Sequence, residues 1–259
     1  MLSASQKYWR RIAVALVLVA GLLMPTTTPL AQSGGNPQVI PPNAKSNDDD
    51  GEDQDPQVVP PNARPYGLTY AQWSAKFSQW GLALPVQGHP FLGCPDPPDA
   101  GQSGPVWFLA GGPAYCALTV PAGKAFFFPL VSAECSSLED PPFHGDTAKE
   151  QRTCAKFWAD HIVVASLFCE IDGVPVKHLA SYRFVSPQYE FTAPTPWVFG
   201  NVGGTGTSVS DGYFLMLHPL SKGVHTIHFG GTIHLSVADG DPFDGDFGFD
   251  TTHVLTVGR

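Results

Sequence analysis

Tyr70, Trp73, Phe77 and Trp80 recur at spacings of three, four and three, which draws one aromatic stripe along a helix. Thr69 with Gln72 fits a capping box at its start, and Leu68 with Trp73 fits a hydrophobic staple. Such a stripe must face something apolar. Covering the edge or end of a β core meets that need, and lining a ligand site is the other use for it. A second helix is predicted from Thr147 to about His161. Thr147 and Glu150 form its capping box, and Cys154, Phe157, Trp158, His161 and Ile162 follow the i, i+3, i+4, i+7, i+8 pattern.

Elsewhere the apolar runs are short and punctuated by turn residues. Val106–Ala110, Tyr115–Val120 and Lys124–Val131 are separated by Gly-Gly-Pro and Pro-Ala-Gly and read as strands. Phe126 to Val131 is apolar on both faces, as a central strand would be, while Pro129 demands a bulge or an edge. Asp172-Gly173 signals a hairpin, and Tyr213–Leu217, Val224–Phe229, Thr232–Val237 and Phe247–Val257 are further strands. Reading Gly230-Gly231 as a two-residue turn places His225 opposite Ser236 and His234 opposite Ile227, so His225 and His234 share one face as diagonal neighbours. His228 then falls on the other face, as a core histidine. The expected fold is mainly β: an antiparallel two-sheet sandwich, jelly-roll or immunoglobulin-like, with two short helices.

Ahead of this domain the pattern changes. Lys7, Arg10 and Arg11 precede an uncharged run from Ile12 to Met24 and then Pro25 to Ala31, the layout of a signal peptide cut after Ala31. The run of 13 residues is short of the roughly 20 that span a bilayer, which disfavours an uncleaved anchor. Residues 32–64 hold a duplicated segment, Pro37–Lys45 and Pro56–Arg64, with the shared pattern Pro-Gln-Val-x-Pro-Pro-Asn-Ala around an acidic block. Two Pro-rich copies cannot build a core, so the segment is expected to be an extended spacer, with a recognition tail as the alternative. Residues 65–259 form the one β-sandwich domain.

Composition agrees with a globular, exported chain. The 27 glycines and 26 prolines make up about a fifth of 259 residues, below the level of low-complexity sequences, and 43 % hydrophobic residues suffice for a core. The net charge of -9 becomes -12 once three basic residues leave with the leader, which excludes nucleic acid held through phosphate neutralisation. Export leads to a secreted or periplasmic address, where disulfides persist. Counting alone leaves the connectivity of five cysteines open. Sequential pairing, Cys94 with Cys116 and Cys135 with Cys154, closes loops of about twenty residues, and Cys169 shares a strand face with Leu167 and Ile171 as a buried thiol.

Pro65–Trp73, Gly101–Gly111, Val120–Pro129 and Gly223–Gly230 (GVHTIHFG, followed by Gly231) resemble segments of uncharacterised exported bacterial proteins, over about residues 58–259. The resemblance implies export and a compact β-rich domain and carries no catalytic residues. The closing stretch from Gly212 also resembles the last strands of immunoglobulin-like sandwiches.

Familiar catalytic signatures are missing: the chain has no Gly-x-Ser-x-Gly elbow, His-Glu-x-x-His, P-loop or Cys-x-x-Cys, and no cofactor is expected. Gly200–Thr207 is Gly-rich without a helix behind it and reads as a mobile loop. Asp239, Asp241, Asp244 and Asp246 superficially resemble a calcium loop, but Phe243 takes the fifth place, so a solvated acidic loop is expected. Glu134, Glu170 and Glu190 lie in or near apolar runs; Glu134 and Glu170 are the candidate catalytic carboxyls, with no spacing that pairs them. His225 and His234 are the candidate metal ligands, lacking a third. Trp107, Tyr115 and Trp197 lie near turns and are the candidate stacking faces for sugar. The resulting expectation is a non-catalytic module that binds an extracellular glycan or cell-surface component. The alternatives are a secreted glycan-directed hydrolase using Glu134 or a His225/His234 metal site, and a structural envelope protein.

Overall fold

Thr69 Oγ1 accepts a hydrogen bond from the Gln72 backbone N–H at 3.2 Å, and Gln72 Oε1 accepts from Thr69 N at 2.9 Å, closing the capping box of α1 (Tyr70–Leu82). Thr147 and Glu150 close the same box on α2 (Ala148–Asp160) at 3.3 and 3.0 Å. The computed structural model describes residues 57–112, 115–200, 202–241 and 244–258. The expected signal peptide and the first copy of the duplicated segment lie outside the described residues.

Among the described residues, ten strands build two five-stranded sheets. The first contains β1 (Val106–Phe108), β3 (Ala125–Ser136), β6 (Arg183–Val185), β7 (Tyr189–Ala193) and β8 (Gly204–Leu217), with β6 and β7 both pairing with β8. The second runs β2 (Tyr115–Val120), β10 (Gly245–Val257), β9 (Gly223–Leu235), β4 (Phe168–Ile171) and β5 (Val174–Pro175). Each sheet is antiparallel except at one edge, where β1 joins β3 and β2 joins β10 in parallel.

The Phe126–Phe128 run explains how the layers meet. Phe127 lies about 6 Å from Tyr70, Trp73 and Phe77, so the aromatic stripe of α1 covers the outer face of the first sheet. Phe128, on the opposite face, meets Phe229 of the second sheet at 4.6 Å. Each of these buried phenylalanines contributes about 1.5–3 kcal/mol of burial. Asp211, buried on β8, is held bidentately by Arg183 at 3.0 and 2.9 Å, and Arg183 also reaches Asp160 at 2.7 Å.

Pro129 brings both outcomes expected of it. The register with β8 shifts between Pro129 and Val131, a bulge that sends later residues to the opposite face from the one alternation alone would give. On the other side, β1 pairs only with Ala125, Phe126 and Phe127.

Four expectations need correction. Gly230-Gly231 is not a turn: β9 runs unbroken through both, paired with β10 along its whole length. Tight interstrand approach is what the glycines serve, since a Cβ on Gly230 would meet Phe249 O at 1.8 Å and one on Gly231 would meet Leu167 and Val131 at about 3 Å. The spacer expected over residues 32–64 does not reach Arg64 as free chain. Val58 bridges Leu217, Val59 N donates to Met216 O at 2.8 Å, and both valines are buried at 5 and 3 % exposure, so the domain extends at least to Gln57. Gly204 to Thr207 belong to β8, zipped to β7, rather than to a mobile loop. Asp241 is buried, accepting from Ser236 N at 2.7 Å and pairing with His161 at 2.8 Å, so that loop is partly structural.

Cys94–Cys116 and Cys135–Cys154 are bridged, and Cys169 is buried outside both disulfides, facing inward with Ile171.

Candidate functional site

Glu134 owes its position to the bulge at Pro129. Without the extra residue it would project toward the second sheet; with it, Glu134 lies on the α1 side, level with Ser210 and diagonal to Ser208 of β8. Glu139 is brought back to it by the turn that ends β3. Ser136 Oγ accepts from Leu138 N at 3.3 Å and Glu139 N at 3.2 Å and donates to Glu139 Oε2 at 2.9 Å, folding the chain so that Glu139 returns over the strand. The Cys135–Cys154 bridge anchors that turn to α2.

The two carboxyl groups lie within hydrogen-bonding reach of each other. Glu134 Oε2 also accepts from Ser208 Oγ, which in turn accepts from the Tyr189 hydroxyl at 3.1 Å. Ser78 of α1 meets the same hydroxyl. Glu134 Oε1 is sealed from solvent and has no hydrogen-bond partner among the described residues. Two carboxylates cannot donate to each other, so the contact holds a proton. Burial raises both groups above the ordinary carboxyl range. Hydrogen bonds from Glu139 and Ser208 pull Glu134 partly back, whereas the charge of Glu134 pushes Glu139 further up. Glu139 is raised the further of the two, so the shared proton resides on Glu139 rather than on Glu134. Burial, followed by that charge, also keeps Tyr189 neutral.

The pair borders a cavity of about 170 Å³ beside β3. From Phe128 to Cys135 this side of the strand has no strand partner among the described residues. The cavity lies at the seam between two hydrophobic clusters, and Phe91 packs on both. Its walls carry Phe77, Phe91, Phe143, Trp158, Phe199 and Phe249, and no Lys, Arg or His lines it among the described residues. A wider groove of about 640 Å³ along α2 is shallower, and its Glu150 is committed to the helix cap and its His144 to Asp146.

No family model matches the chain, and no curated protein is recognisably similar to it in sequence. Among solved structures, the solution structure of Amebosin is similar at a TM-score of 0.19 and 9 % identity, covering 59 % of this chain and 99 % of that one, which carries no argument about fold or function.

Of the candidate catalytic, metal-ligating and stacking residues singled out from the sequence, only Glu134 reaches the cleft, joined there by Phe77 of the aromatic stripe. Glu170 lies on the outer face of the second sheet, 3.8 Å from His228, far from Glu134 in the layer order. Glu190 is exposed on β7, its backbone carbonyl accepting from Gln79. Trp107 and Trp197 are 4 and 2 % exposed, so neither presents a face for stacking; Tyr115, at 59 %, does. His225 and His234 stand nine positions apart on one continuous strand, which places them on opposite faces and roughly 30 Å apart. They cannot share an ion; His225 bonds Asp172 at 2.7 Å and His234 bonds Asp246 at 2.6 Å. His228, expected in the core, faces outward and bonds Asp250 at 2.8 Å, because removing the turn at Gly230 reverses its parity. No metal-holding cluster occurs among the described residues. Glu139 was missed, although its signal was local: a carboxyl five residues after Glu134, just beyond a strand-ending Ser-Ser turn.

Proposed function

We propose that this chain is an exported binding domain whose ligand site is the aromatic cleft beside β3, with the Glu134–Glu139 pair as its polar anchor. One observation carries the reading: two carboxyls within hydrogen-bonding reach of each other are sunk into a cleft whose other walls, apart from Ser78 and Ser132, are apolar. Burying them costs free energy that well-packed apolar side chains would not, so stability alone gives no reason for the pair. The cavity resembles in size the ~150 Å³ that accommodates benzene and falls below the ~300 Å³ of pockets for drug-sized ligands, so the ligand places one ring-sized group there. The leader sequence and the two disulfides support an extracellular or periplasmic setting. A sugar ring fits the walls poorly, since its hydroxyls would be left without partners against phenylalanine faces. The glycan expectation therefore gives way to an apolar group bearing one polar end.

The hydrolase alternative has Glu134 in its favour, but not as a glycosidase. The carboxyls of retaining glycosidases stand about 5–5.5 Å apart and those of inverting enzymes further, whereas these two touch. With the two carboxyls within hydrogen-bonding reach of each other, binding is the function this geometry favours.

The test is ligand-observed NMR with ring-sized fragments, neutral, cationic and anionic, on the full chain and on Ala133→Phe, which fills the cleft. Saturable binding that disappears in Ala133→Phe supports the site. Binding that survives the substitution, or no binding by any fragment, overturns it.

A further inference from the structure

We infer that the group this cleft takes is an organic ammonium: a protonated amine docks against the Glu134–Glu139 pair while its apolar body lies on the aromatic walls. This rests on the cleft being the ligand site, and it adds the chemical class of the ligand.

Charge supplies the first argument. A pair sharing one proton carries one negative charge, and no Lys, Arg or His among the cavity-lining residues described compensates it. Surrounding hydroxyls stabilise that charge only in part: Ser208 donates to Glu134, and Ser136 donates to Glu139. A cation entering the cleft makes the site neutral, the cheapest state at low dielectric.

Acceptor capacity is the second. Each oxygen of a carboxylate can accept two hydrogen bonds, and the proton on Glu139 fills one place on the pair. Glu134 Oε1, buried and without a hydrogen-bond partner among the described residues, is the acceptor that an N–H brought by a ligand would satisfy.

The walls are the third. Phe77, Phe91, Phe143, Phe199, Phe249 and Trp158 surround a space of about one ring, and aromatic faces attract a cation as well as an apolar body. An anion would meet a like charge, and a neutral alcohol would leave the negative charge uncompensated.

The groups facing Glu134 fix the pH dependence. They are Glu139 in the turn after β3, Tyr189 on β7, and the hydroxyls of Ser208 on β8; α1 adds Ser78 through Tyr189. Tyr189 stays neutral, so the charge that attracts the cation is that of Glu134. Acidification that protonates Glu134 as well discharges the pair, and amine binding weakens by about tenfold per pH unit below that point.

Calorimetry on the full chain at pH 7 with benzylamine, benzyl alcohol and phenylacetate tests this, with folding of each variant checked by circular dichroism. Benzylammonium is expected to bind at least about tenfold more tightly than benzyl alcohol, and phenylacetate not at all. Glu134→Gln should abolish the preference, because the charge is gone. Glu139→Gln should retain it within about threefold, because the amide still donates to a charged Glu134. Equal binding of amine and alcohol, or a preference that survives Glu134→Gln, overturns the inference and leaves the cleft standing as a site. Silence from all three probes overturns both.

Discussion

Glu134 and Glu139 bring their carboxyls within hydrogen-bonding reach of each other beside a cavity whose remaining walls are almost wholly apolar. A carboxyl whose pKa is raised by folding contributes fully below its unfolded value and loses that contribution as pH rises through the folded value. Both members are raised, so the pair stabilises the domain in acid and weakens it above the ordinary glutamate value of about 4.5.

Glu139→Gln replaces the titrating donor by a permanent one. The variant should match the wild type near pH 5 and exceed it by about 1.5–3 kcal/mol at pH 8, the scale of a hydrogen bond to a charged group. Chemical denaturation at the two pH values measures this. A stability difference that does not change with pH would show that no proton is shared.

Arg183→Ala should cost about 3–5 kcal/mol, because it leaves the buried carboxylate of Asp211 without its bidentate partner. Replacing both residues, as Arg183→Met with Asp211→Leu, should recover most of that loss. A double variant as unstable as the single one would mean that the guanidinium supports the fold by packing rather than by charge.

The docking of Val58 and Val59 makes the N-terminal boundary measurable. A chain beginning at Pro65 should melt roughly 6–24 °C below one beginning at Gln57, since two buried valines at about 1.5–3 kcal/mol each are lost. Equal melting temperatures would return residues 57–64 to the spacer.

The histidines should separate in an NMR titration. Hydrogen bonding to Asp246 raises His234 above the ordinary histidine value, whereas burial lowers His89 and His253 below it. His253 is held neutral, with Nε2–H donating to Ala110 O at 2.9 Å. Its folded pKa is depressed, so its contribution is present above the unfolded value of 6.5 and is lost as pH falls. An ordinary titration of His253 would contradict its burial.

Local chemistry was legible along the chain. The two capping boxes, the aromatic stripe of α1, the strand character of Phe126–Val131, the inward face of Cys169 and the mainly β class all follow from spacing and residue type, because these are decided within a turn or two of backbone. What depended on parity and distant partners was not. Gly230-Gly231 looks the same whether it turns a hairpin or lets two strands approach closely, and only the packing of Phe249 and Leu167 against it decides. That choice reversed the faces of His225 and His228 and left His234 facing outward. The second copy of the duplicated segment was indistinguishable from the first until the edge of β8 offered Val58 and Val59 a seat. Glu134 stood out in the sequence by its apolar neighbours, but its partner emerged only when a one-residue bulge and a serine turn, both consequences of how β3 pairs, aimed two carboxyls at the same point in space.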